Sequence, residues 1–334
     1  MSIAQLIQDA WNNQAKWLIV LRPLSWIYRA GFLLNKKLYQ MGIKSSYQAP
    51  VPVMVIGNIT VGGSGKTPLL IQLVNYFHSQ NVRVGVISRG YGGKGPFPAY
   101  VDLESVPDIV GDEPCLIVQS TGVPMVVGSN RQRSIEYLLS RHELDLIISD
   151  DGLQHLALER QIEWIVLDQN RGLGNQKLLP EGYLREPPSR LNTGTVIEHA
   201  AEPGSALNMH LEVATPYLLN AVEGTPFNPA DNFYAVVGIG FPQRFYKTLD
   251  SMGIYQFQGH EFPDHYDYEI TDLQFEDGNP IITTEKDAVK LLPLLKQNPD
   301  FKREIWVVPV EAVLSPGCYE VLHQQLQQLG IQIS

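Results

Sequence analysis

Cysteine is scarce: Cys115 and Cys318 stand about two hundred positions apart in a chain of 334 residues. Two thiols so placed suit neither a disulfide framework nor a four-ligand zinc site, and a reducing compartment is the simplest reading. Charge is thin as well, at 18% of residues, and runs acidic, with 35 carboxylates against 25 Lys and Arg and a net charge of −10. A general nucleic-acid binder needs cationic surface to displace phosphate counterions, so that class is excluded. No collagenous, coiled-coil or disordered composition is present: 44% of residues are hydrophobic, with 28 Gly and 23 Pro, which is ordinary globular chemistry. At roughly 150 residues per domain the length predicts about two domains.

The acidity is uneven. Residues 1–50 carry Lys16, Arg22, Arg29, Lys36, Lys37 and Lys44 against Asp9 alone, so a basic head precedes an acidic body. The apolar run WLIVLRPLSWIYRAGFLL (17–34) has the length of a membrane span, but two arginines and a proline interrupt it. Each Arg at mid-bilayer costs roughly 2.5–3.5 kcal/mol. On a helix from about Pro23 to Met41, Arg22, Arg29 and Lys36 align with Ser25 and Gln40 as a polar stripe. Leu24, Ile27, Tyr28, Gly31, Leu34 and Leu38 occupy the other side. Trp17, Trp26 and Tyr28 are aromatics favoured at the headgroup level. The pattern predicts a helix lying in a membrane interface, the alternative being a helix packed on the protein body. The first sixteen residues are polar and no small-residue cleavage site follows the run, so it does not read as a signal peptide and the body is expected in the cytoplasm.

Val53 to Ile56 form a continuous apolar run of strand type, followed by a glycine-rich loop to Lys66 and then helical periodicity from Thr67. In such a loop, here Thr60, Val61, Gly62, Gly63, Ser64 and Gly65, backbone N–H groups crowd around phosphate oxygens. Lys66 then reaches the β- and γ-phosphates and Thr67 ligates Mg²⁺. The usual pattern has Gly six residues before the lysine, where this chain has Thr60. A second apolar strand, 144–149, runs into Asp150 and Asp151. A carboxylate at that sheet edge, beside a phosphate loop, is where such enzymes hold their metal. VRVGVISRGYGG (82–93) repeats the scheme and turns Ser88 and Arg89 toward the same crevice. GDEP (111–114) reads as a helix cap or a site, Arg131 and Arg133 open a further helix, and LPEGYLREP (179–187) is loop-like. FPDHYDY (262–268) sets Asp264 beside His265, and TTEKDAVKLL (283–292) lacks a guanine-reading N-K-x-D, which counts against a GTPase.

The combination GNITVGGSGKTP, SRGYGG, GDEP, SDDGLQH, LREP, DH and TEKDAVK resembles the tetraacyldisaccharide 4'-kinase family of Gram-negative lipid A synthesis, over nearly the whole chain. The resemblance implies ATP and Mg²⁺ as cofactors and transfer of a phosphoryl group to the 4'-hydroxyl of an acylated glucosamine disaccharide 1-phosphate. It implies phosphate and metal roles for Lys66 and Thr67, an acidic pair near Mg²⁺ in Asp150 and Asp151, and Asp112 as the carboxylate that activates the sugar hydroxyl with His265 as its partner. Glu113, Arg131, His155, Arg185 and Glu186 match further site positions. The family itself departs from the leading glycine, so Thr60 fits it. The expected fold is α/β. A membrane-interface segment (1–45) precedes a P-loop core with a mostly parallel sheet (46–228) and a smaller α/β lobe (229–334), the linker lying near 223–232. The expected setting is peripheral, on the cytoplasmic face of the inner membrane, with the lipid and the membrane surface as partners and no obligate protein partner. A soluble small-molecule kinase, which would share the core but need no apolar head, and a nucleotide-driven ATPase switch, which would hydrolyse ATP without an acceptor, are the competing functions.

Overall fold

The computed structural model describes residues 3–200, 205–220 and 226–333; positions 223–225 of the expected linker lie outside them. Among the described residues the strands form two sheets. The first has nine strands, in the order Val310–Leu314, Asn208–Val213, Thr195–His199, Ile162–Asp168, Val53–Gly57, Leu146–Asp150, Val84–Ser88, Met125–Val127 and Ala99–Val101. The seven inner strands are mutually parallel and the two edge strands antiparallel to their neighbours. The central strand Val53–Gly57 is buried throughout. Met54 and Ile56 enter the core on one face, while Val53 and Val55 enter the core on the other. That two-sided burial is why the strand reads as an unbroken apolar run rather than an alternation.

The second sheet has five strands, in the order Phe257–Glu261, Phe233–Val237, Ile281–Thr284, Ile305–Val308 and Tyr217–Leu218, parallel except for the last. Its membership crosses the division expected at 228/229 in both directions. Tyr217–Leu218 precedes that point yet pairs with Trp306 and Val307. Val310–Leu314 and the helix Pro316–Gln328 follow it yet belong to the first sheet, where Ala312, Leu314, Cys318, Leu322 and Leu326 join the main core. The apolar run 304–310 is split at Pro309, which has no N–H to give a ladder. The residues before it serve one sheet and those after it the other.

The head forms a short helix (Ile3–Asn12), a 3₁₀ turn (Lys16–Leu21) and a nineteen-residue helix (Arg22–Gln40). Lys16–Gln40 is, among the described residues, the one helical stretch long and apolar enough to cross a membrane. The first turns of its polar stripe face the protein, while Arg29 and Gln40 further along are exposed. Arg22 Nε and Nη2 donate to the Glu181 carboxylate at 2.8–3.2 Å, and buried Ser25 donates to the Leu178 carbonyl while accepting from the Glu181 N–H. Tyr28, expected among the outward apolar residues, is turned inward because its hydroxyl donates to the Arg185 carbonyl at 2.9 Å. Val20, Leu24, Trp26, Ile27, Leu33 and Leu34 are exposed.

Candidate active site

Parallel strands bring their carboxyl ends to one edge of the first sheet, and ligands of such sheets bind there. The central strand delivers the loop 58–65 to this edge, its neighbour Leu146–Asp150 delivers Asp150 and the next strand out, Val84–Ser88, delivers Ser88, so the three motifs meet because their strands are consecutive in the sheet. Gly65 closes the loop at φ +90°, a conformation that strains any side chain. A Cβ there would also stand 2.7 Å from Met209 and 3.0 Å from the His199 ring. The helix Lys66–Ser79 starts at the next residue. Thr67 is half-buried in its first turn, where N–H groups point at whatever anion occupies the loop. Thr60 is buried and bridges to Leu184, and Val61 is pinned on both sides: its N–H bonds the Tyr183 carbonyl and its carbonyl accepts from Arg171. Lys66 Nζ lies 3.2 Å from Asn58 Oδ1 and 3.6 Å from Asp151.

Asp150 is 2% exposed. Its Oδ2 accepts weakly from Ser88 Oγ at 3.3 Å, while Oδ1 is buried and without a hydrogen-bond partner. Burial, together with the charges of Glu113 and Asp151, outweighs Lys66 and Arg131 and pushes its carboxyl up to about 7. Asp151 behaves oppositely. Burial would raise it too, but Lys66 and Arg185, whose Nη1 sits at 2.8 Å, hold it below the usual range. Arg131 donates to the Gly128 and Asp150 carbonyls, and burial lowers it to about 10. His155 is half-buried, and burial with the charges of Arg131, Arg160 and Arg89 brings it down to about 4, so it is neutral at physiological pH. Arg89 is exposed on the turn after Ser88.

The SRGYGG turn carries the site toward GDEP. Gly111, at φ +99°, presses against this turn so closely that a Cβ would stand 2.5 Å from the Tyr91 carbonyl. Asp112 therefore begins its helix (Asp112–Thr121) beside the phosphate-loop edge, and is 4% exposed. From the second lobe, His265, itself at φ +60°, brings Nδ1 to 2.9 and 3.1 Å from the two Asp112 oxygens, its ring 5.0 Å from that of Tyr91. The Asp112 hydrogen bond raises the His265 pKa against the opposing effect of burial. Burial would raise Asp112, but the His265 hydrogen bond and the Lys286 charge together bring it down to about 2.

One expected substrate residue stands apart. Glu186 is buried, accepts from Gln154 at 2.7 Å and pairs with Arg190 at 3.2 Å, so its carboxylate anchors the loop rather than facing the crevice. Glu113 is half-buried, 3.4 Å from Lys286. Sequence reasoning missed Asn58, Arg171, His199 and Lys286. Asn58 and Lys286 sit inside the quoted GNIT and TEKDAVK segments and were legible there; Arg171 and His199 come from segments that only the fold brings in.

The chain is similar to known proteins over nearly its whole length. A family model for tetraacyldisaccharide-1-P 4'-kinase matches residues 17–327. The tetraacyldisaccharide 4'-kinase of Psychrobacter arcticus is 48% identical over the whole of this chain and 98% of that protein. The enzyme of the same name from Ectopseudomonas mendocina is 40% identical, over 98% of this chain and 99% of its own. Among solved structures, the LpxK of Aquifex aeolicus in complex with ATP superposes with a TM-score of 0.76 at 27% identity, covering 94% of this chain and 99% of that one. From a match that spans both lobes and the crevice between them, the chain belongs to the tetraacyldisaccharide-1-P 4'-kinase family.

Proposed function

We propose that this crevice carries out the family's reaction, ATP-dependent phosphorylation of the 4'-hydroxyl of tetraacyldisaccharide 1-phosphate in lipid A synthesis, with the following division of labour. Residues 60–65 and Lys66 bind the phosphates of ATP. The 4'-oxygen attacks the γ-phosphorus, the bond to the β,γ-bridging oxygen breaks, and ADP departs. Asp112, with His265 behind it, receives the hydroxyl proton. A phosphoryl transition state is loose, so alignment and charge neutralisation by Lys66 supply most of the acceleration. An Asp carboxylate, with a reference pKa of about 3.9, takes the proton only late and in concert. The observation that carries this reading is the buried Asp112–His265 pair at the same sheet edge as the phosphate loop.

A divalent cation fits the residues present. The buried, unpartnered Asp150 Oδ1 is a free oxygen ligand, and Mg²⁺ characteristically takes one or two carboxylates along with substrate phosphates. Thr67, Asp150 and Asp151 would hold it, directly or through water. When bound, Mg²⁺ supplies charge neutralisation on the transferring phosphate. Ser88, Arg89, Arg131, His155 and Arg185 line the acceptor side in this reading. The test is incubation with ATP, Mg²⁺ and the purified disaccharide lipid in detergent, followed by mass analysis. One added phosphate at 4' is expected. ATP hydrolysis without a phosphorylated lipid would overturn the reading.

The membrane part of the reading rests on the head. A four-chain lipid stays in the bilayer, each buried CH₂ being worth about 0.8 kcal/mol, so the enzyme must come to it. Helix Arg22–Gln40 turns Arg22, Ser25 and Tyr28 onto the body and its aliphatic side outward. That arrangement supports a helix lying in the interface of the inner membrane's cytoplasmic leaflet, because crossing the bilayer would strip Arg22 from Glu181. Exposed Lys16, Arg29 and Lys37 add about 1 kcal/mol each on anionic lipid. The triple variant W26S/I27S/L34S is expected to bind anionic phospholipid vesicles at least about 10²-fold more weakly, on the burial value of such side chains, with ATP affinity unchanged. Undiminished vesicle binding by co-sedimentation would count against the interface.

A further inference from the structure

Lys286 lies in the TEKDAVK motif, to which the resemblance lends no residue role, yet it sits at a contact between the lobes. It is the second residue of the helix Glu285–Gln297, and its ammonium lies 3.0 Å from Asp264, 3.4 Å from Glu113 and 3.7 Å from Asp112. Asp264 belongs to the second lobe and precedes His265, whose N–H bonds the Asp264 carboxylate at 3.1 Å. Asp112 and Glu113 open a helix of the first lobe. Three carboxylates thus converge on one cation that is 19% exposed, and without that cation Asp112 and Asp264 would repel one another across the contact.

We propose that Lys286 is a positioning residue of the phosphoryl transfer: its ammonium ties Asp112 of the first lobe to Asp264 of the second and so seats His265 on Asp112. This rests on the reading of Asp112 and His265 as the proton-accepting pair. The other charged groups around the pair are already engaged. Lys290 is held by Asp287 at 2.9 Å, and Lys94 lies 3.7 Å from Asp267 on the surface. Also beside the pair are Tyr91, whose ring is tilted against that of His265 at 5.0 Å, and Cys115, a buried thiol. Lys286 is therefore the cation that Asp112 and Asp264 share. Its charge keeps Asp112 ionised and opposes protonation of His265.

The test compares K286M, K286R, D264N, D112N and D112N/K286M, with steady-state kinetics on ATP and the disaccharide lipid across the acidic and neutral range. K286M is expected to lower kcat by about tenfold to a hundredfold, part of the 10²–10⁴ assigned to proton transfer, while KM for ATP stays within about twofold. The acid limb of its pH profile moves to higher pH, because both members of the pair gain affinity for protons when the cation goes. K286R returns the limb to its place. On the D112N background K286M adds less than about twofold, since the carboxylate it held is gone. An unchanged kcat in K286M, or a fall in kcat with the limb unmoved and the effect still additive on D112N, overturns the assignment and leaves Lys286 as an ordinary lobe contact. Where K286M does not fold, D264N decides. It keeps the ammonium but removes its second-lobe anchor; a fall in kcat of at least about fivefold supports the assignment and an unchanged kcat overturns it. Full activity in D112N itself would instead sink the reading of Asp112, whatever Lys286 does.

Discussion

Lys66→Ala is expected to lower kcat for lipid phosphorylation by at least about 10³-fold in a protein that still folds. The ammonium is held at the mouth of the glycine loop by Asn58 at 3.2 Å and Asp151 at 3.6 Å, and its side chain is 12% exposed. It is thus placed before any phosphate arrives and loses little on reorganising in the transition state. Removing a single neutral donor from such a preorganised site costs about 10²–10³ in rate, and a full charge beside the equatorial oxygens is worth more. The structural cost is small by comparison. Asp151 keeps its two contacts with Arg185, at 2.8 and 3.0 Å, so no buried charge is orphaned. Arginine should rescue poorly, because the planar fork cannot occupy the point position of an ammonium. Single-turnover transfer, read by mass and paired with thermal unfolding, checks this. A folded K66A variant within tenfold of the parent would remove the phosphate loop from the mechanism.

What could be read from the chain beforehand follows from how local each signal is. The strand Val53–Gly57, the GSGKT loop and the Asp150–Asp151 pair declare themselves within a dozen residues, because a strand buried on both faces is continuously apolar and a phosphate loop must be glycine-rich. Pro309 was visible, but not that the chain changes sheets there; pairing of Val310–Leu314 with Asn208–Val213 depends on an edge a hundred residues earlier. The head showed its two sides, yet Tyr28 sat on the wrong one because its hydroxyl answers a carbonyl at position 185. Glu186 carried a motif match, and only the fold shows its carboxylate spent on Gln154 and Arg190. The approach of His265 to Asp112, 153 positions away, leaves no periodicity at all. It was legible through resemblance alone, and Lys286, outside the motifs to which resemblance lent a role, was passed over.

Asp112→Asn should lower kcat by about 10²–10⁴-fold while leaving KM for ATP nearly unchanged, the loss being that of a proton acceptor rather than of nucleotide binding. The amide keeps the shape of the carboxylate at the start of the helix, so the fold is retained. Its pH behaviour separates this from a merely structural loss. In the parent, His265 is raised above its ordinary 6.5 by the hydrogen bond to Asp112, so on acidification the pair takes its first proton there, and the base form is already being lost before the pH has fallen to 6.5. The acid limb of log kcat/KM should therefore lie on the high side of that value. His265→Ala should move it to lower pH, because the imidazole that took the first proton is gone and Asp112, although it loses the His265 hydrogen bond, keeps the Lys286 charge that holds it down. Stability has the opposite sign. A raised histidine contributes stability that is full below its unfolded pKa of about 6.5 and fades as pH rises through the folded value. The depressed Asp112 contributes stability that is present above about 3.9 and fades as pH falls toward 2. The lobe contact is then firmest between about pH 4 and 6.5, where proton transfer is already slowed, and Asp112→Asn should flatten that maximum in a series of thermal unfolding curves. An Asn variant that kept both the acid limb and the stability maximum would show that the pair governs neither.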